Sequence, residues 1–113
     1  MSADYRAKGV QRGDALYLDL TTAVEFVKDC DRDDIAVLGI EGFVLRGDNL
    51  EARPDLVCDF SPAYDADQEW PEYREQANRA ALRFITGVAH DEGLVFHFDV
   101  FTLSQWTGEG YGP

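Results

Sequence analysis

His97 and Asp99 lie two residues apart in a run rich in Phe and Val, so on a strand they share one face, with Leu94, Phe96, Phe98 and Val100 on the other. An imidazole beside a carboxylate is the arrangement of a general base and the group that orients it. Two more acids extend the region. Glu41 interrupts an otherwise apolar run, and Asp59 alternates with Cys58 and Phe60. Carboxylates gathered from three strands into one groove would raise one another's pKa or hold a divalent ion. The chain nevertheless has no GxSxG, HExxH or Cys-x-x-Cys motif to supply a nucleophile or a metal set. His97, Asp99, Glu41 and Asp59 are therefore weak catalytic candidates. Their simpler reading is a half-exposed sheet face whose acids pair with Arg46, Arg79 or Arg83.

A second patch interleaves acids with large rings: Tyr64, Asp65, Asp67, Glu69, Trp70, Glu72 and Tyr73. Tyr and Trp provide contact area at low entropic cost, and carboxylates steer a basic partner. The bland alternative is a helix start whose Trp70 tucks into the core. Asp29, Asp31 and Asp33 have the alternate spacing of a calcium loop. The sixth position of such a loop needs Gly and here holds Asp34, and the twelfth needs Glu and holds Ile40. Asp31, Asp33 and Asp34 thus read as a solvated turn that could join a contact surface, with no metal assigned. Arg46-Gly47-Asp48 reads as turn chemistry and His90 as a helix end. No glycine loop cradles phosphate, and no cofactor is expected.

Charge narrows the company this protein keeps. Asp and Glu number 22 against 10 Lys and Arg, a net charge of −12 on 113 residues. Such an excess repels nucleic acid and anionic membrane and attracts basic protein. The expected role is a small acidic module that neutralises or sequesters a basic partner, comparable in size and charge to immunity-protein inhibitors and nucleic-acid mimics. A small enzyme or ligand- or metal-binding domain using the carboxylate and His groove is the alternative. A homo-oligomeric unit, such as a homodimer, is the third reading, because both faces of the run from 35 to 45 are apolar. No signal-peptide-like or membrane-length apolar stretch occurs, and Cys30 and Cys58 read as buried thiols, so a cytoplasmic location is expected.

These residues need a scaffold. Residues 1–13 read as a mildly basic flexible arm, 14–104 as one α+β domain and 105–113 as a Gly-rich tail. Leu16, Leu18 and Leu20 alternate as a strand, and Thr22 with Glu25 reads as the capping box of a helix over 22–31. A central strand over 35–45 follows, then a turn at Gly47 and a short strand over 56–60 after Pro54. Pro71 opens a helix to about 89, and 94–103 forms the last strand. The order β-α-β-β-α-β predicts two helices on one face of a four-stranded, mainly antiparallel sheet, ferredoxin-like, with a barstar-like layout as the alternative.

Overall fold

The computed structural model describes residues 5–60, 68–88 and 91–107, and they form an α+β domain. Nine elements follow in order: α1 (Tyr5–Lys8), β1 (Val10–Arg12), β2 (Ala15–Tyr17), α2 (Leu20–Arg32), β3 (Ile35–Arg46), β4 (Asn49–Asp59), α3 (Trp70–Gly87), β5 (Leu94–Thr102) and α4 (Leu103–Thr107). No helix among the described residues is long and apolar enough to cross a membrane.

The scaffold is built on β3, whose 12 residues pair antiparallel with β4 on one edge and β5 on the other. This three-stranded sheet replaces the expected four-stranded one. The leucine alternation near the N-terminus yields only a three-residue strand, because Asp19 caps a helix that begins at Leu20. The short β2 pairs with β1 in a separate two-stranded sheet, and Leu18 alone bridges to Phe96 of β5. A ferredoxin-like order would pair the last strand with the first. Here it pairs with β3, and every described pair is antiparallel, unlike a barstar-like sheet.

Local chemistry explains where elements begin and end. Asp19 Oδ1 accepts the Thr22 N–H at 2.9 Å, so the cap of α2 is Asp19 and not Thr22, which is buried one turn in. Gly47 at φ +60° makes the two-residue turn between β3 and β4. Pro54 sits within β4, which tolerates it as an edge strand with a shift in register opposite Glu41 and Gly42. Gly93 is obligatory: its φ is +83° and a Cβ there would lie 2.5 Å from the Leu45 carbonyl oxygen.

Both long helices cover the same face of the sheet. Ala23 and Val27 of α2 and Ala81 and Ile85 of α3 meet Val37, Ile40, Val44 and Phe96 in one core cluster. A second cluster joins Ala36, Trp70, Tyr73 and Ala77 under Phe101 and Trp106. Within the basic arm, Tyr5 is buried against Phe26 and donates to Asp29, and Lys8 reaches Glu25 at 3.1 Å.

Burial also holds protons. It pushes the Cys30 thiol up from 9.0 to about 12, with Asp29 and Asp33 adding to the shift, and the Tyr73 phenol up from 10.0 to about 12, with Asp59 adding. The unfolded chain releases both protons first, so stability is complete below about pH 8 and falls as pH rises from about 9 to 12. Urea midpoints measured across that range should decline, and Cys30→Ala should remove the earlier part of the slope. A flat profile would contradict the assignment.

Candidate functional site

Strand register brings the scattered acids together. Gly39 of β3 stands opposite Asp59 of β4 and Asp99 of β5, and Glu41 stands opposite Val57 and His97. Directly opposed residues point to the same face, about 5 Å apart. Asp59, Gly39 and Asp99 therefore make one row across the sheet, and Val57, Glu41 and His97 make the next. Neighbouring Ile40 and Phe96 point the other way, into the core. The two rows lie on the face that α2 and α3 leave uncovered.

Gly39 gives this face a floor without a side chain. A Cβ there would meet the Cys58 carbonyl oxygen at 3.4 Å and Asp99 Oδ2 at 3.8 Å, so the Asp99 carboxylate leans over the gap. Donor atoms of Glu41, His97 and Asp99 all lie within 4.8 Å of one another, with Glu41 and Asp99 exposed and His97 half-buried. Tyr17 packs beside them, its ring centroid 5.7 Å from His97 and 5.1 Å from Phe43. Val57, 58 % exposed, continues the row as an apolar rim.

Two of the three arginines offered by the sequence as partners are occupied elsewhere. Arg46 pairs with Glu51 at 3.0 Å and Arg79 with Glu75 at 2.5 Å. Among the described residues neither Glu41 nor Asp99 has a hydrogen bond or ion pair, so the expected internal neutralisation is not made at these two carboxylates. His97 and Asp99 share a face as their spacing predicts. A base and its orienter still require a reacting group, and Cys58 alternates to the opposite face from Asp59.

The turn acids have a different fate. Asp31 accepts from Asn78 Nδ2 at 3.0 Å and lies 3.5 Å from Arg74, which also donates to the Asp31 carbonyl. Asp34, at φ +65°, accepts the Trp70 indole N–H at 2.8 Å and lies 3.5 Å from the same guanidinium. Asp33 caps the end of α2 beside Arg32. These groups tie the α2–β3 turn to α3.

The aromatic half of the second patch is core. Trp70 is 5 % exposed and Tyr73 3 %; Tyr73 stacks on Trp106 at 5.2 Å and donates to the Phe60 carbonyl at 3.0 Å. Glu69 and Glu72 remain exposed at the start of α3. Tyr64, Asp65 and Asp67 lie outside the described residues, as does His90. Sequence reasoning missed Asn78, a polar residue 2 % exposed that accepts the Val37 N–H at 2.8 Å and donates to the Ile35 carbonyl at 2.9 Å. Its one signal is its place beside Ala77 and Ala81 on the buried stripe of α3.

No protein-family model matches this chain, and no curated protein shows significant similarity to it.

Removing Asn78 leaves a buried N–H and a carbonyl without partners. Asn78→Ala should lower unfolding stability by about 2–4 kcal/mol, since each orphaned buried group costs about 1–3 kcal/mol. Arg79→Ala, which breaks only an exposed pair, should cost under about 1 kcal/mol. Urea denaturation of both variants checks the contrast.

Proposed function

We propose that this protein is a small acidic binding module that recognises a basic protein partner through the open face of its three-stranded sheet. The observation that carries the reading is the placement of Glu41, Asp59 and Asp99 around the bare backbone of Gly39, with Glu41 and Asp99 carrying no internal cation. A lysine or arginine of a partner would sit above Gly39 between carboxylates, and Tyr17, Phe43 and Val57 would supply apolar contact around it. Sequestration of a basic protein in the cytoplasm, in the manner of an immunity-protein inhibitor or a nucleic-acid mimic, accords with the net charge of −12.

The sheet face has better support as the contact surface than the start of α3. There Trp70 and Tyr73 are consumed by the core, and Asp31 and Asp34 are consumed by Arg74, Asn78 and Trp70. A homodimer through the sheet face is less favourable, since it would bring two copies of the uncompensated Glu41 and Asp99 into one interface. For the enzyme alternative, Cys58, the thiol nearest in the sheet register, pairs with Ile40 and so faces away from His97.

A lysine- and arginine-rich peptide, titrated by fluorescence anisotropy, tests the assignment. Binding should be measurable at low salt and fade steeply as the Debye length shrinks from about 30 Å at 0.01 M to about 8 Å at 0.15 M. Glu41→Lys with Asp99→Lys should weaken it by about tenfold, the equivalent of about 1.4 kcal/mol. Glu69→Lys with Glu72→Lys makes the same change in net charge at the start of α3 and should do much less. Equal losses from the two pairs would reduce the effect to overall charge, and a larger loss from the second pair would move the contact surface to α3.

A further inference from the structure

We infer that Glu41, His97 and Asp99 form a binding site for one divalent transition ion of the zinc class. The inference concerns the free protein and does not depend on the docking reading. An ion and a partner's cationic group would, however, compete for the same carboxylates.

The donor set is mixed: one imidazole nitrogen and two carboxylates, all within 4.8 Å of one another. The backbone that carries them is fixed, because β3 and β5 are paired in the sheet with Glu41 directly opposite His97 and Asp99 two residues farther on. Tyr17, its ring 5.7 Å from that of His97, limits the imidazole on one side. Gly39 leaves the backbone beside Asp99 without a side chain, and even a Cβ there would stand 3.8 Å from the carboxylate. Two acids facing one imidazole with no internal cation on either is an arrangement that a bound cation relieves.

Zinc at about 2.0–2.2 Å from each donor needs its ligands about 3.4 Å apart. The side chains must therefore close by up to about 1.4 Å, which the exposed Glu41 can do by rotating its own torsions. Three protein ligands leave a fourth position to water, the pattern of an open site. Magnesium and calcium prefer six or more oxygens, and an imidazole with only two carboxylates favours the later first-row ions. The 29–34 turn differs in each respect: it has no imidazole, and Asp31 and Asp34 are held by Arg74.

Isothermal titration of the full chain with ZnCl2, after chelator treatment, should show one equivalent bound, with no comparable heat from MgCl2 or CaCl2. Glu41→Gln with Asp99→Asn should lower zinc affinity by tenfold or more, and so should His97→Ala. Should His97→Ala fail to fold by circular dichroism, imidazole NMR of the unaltered chain decides. His90 and His97 are the only two histidines, and zinc should shift His97 alone. No binding, unchanged affinity in the Glu41 and Asp99 double variant, or a shift at His90 instead would overturn the site.

Discussion

β3 must be hydrogen-bonded along both edges while burying one face, and that requirement arranges the rest of the domain. Its two neighbours, β4 and β5, run antiparallel to it, so β5 arrives only after α3 has crossed the sheet. Beyond the last β3–β4 pair, Gly39 with Asp59, α3 itself completes the accounting: Asn78 accepts the Val37 N–H and donates to the Ile35 carbonyl. A buried amide used in this way fixes the height of α3 against the strand. The Arg74 and Trp70 contacts to the preceding turn then follow on the same helix, one and two turns earlier.

The acidity divides along the same line. On the helix side, Asp29, Asp31 and Asp34 act as acceptors for Tyr5, Asn78, Trp70 and Arg74, and their charge helps to hold the turn. On the open side of the sheet, carboxylates stand in register without comparable internal use at Glu41 and Asp99. Acidic content is thus a poor guide to function, whereas the presence or absence of an internal partner separates the structural acids from those available to a ligand.

Residues with strong local signals were readable. Gly47 and Asp48 marked a turn, Pro71 and the alanine-rich stripe marked α3, and the period of two in 94–103 placed His97 and Asp99 on one face. Pairing was not readable, because nothing local to Glu41 says that it faces His97 and not a residue of another strand. Asp19 fitted both the polar side of a strand and a helix cap, and the cap shortened the strand. Trp70 fitted a contact patch and a core equally well until Asp34 supplied an acceptor for its indole. The arm looked mobile because its charge and glycines are those of a terminus, and only a long-range partner, Asp29, reveals the burial of Tyr5.

The interruption in β4 bears on how the chain behaves among its own copies. Because Glu41 faces Val57 and Gly42 faces Arg53, residues 54–56 have no counterparts, and Leu56 turns inward over Gly42, where a Cβ would come within 2.7 Å of it. The outer edge is therefore broken into two short pieces by a proline and a kink, with the charged pair of Arg53 and Asp55 at the break. A foreign strand seeking to extend the ladder would lose its register midway. An exposed edge that would otherwise nucleate amyloid-like stacking is in this way made a poor template for it.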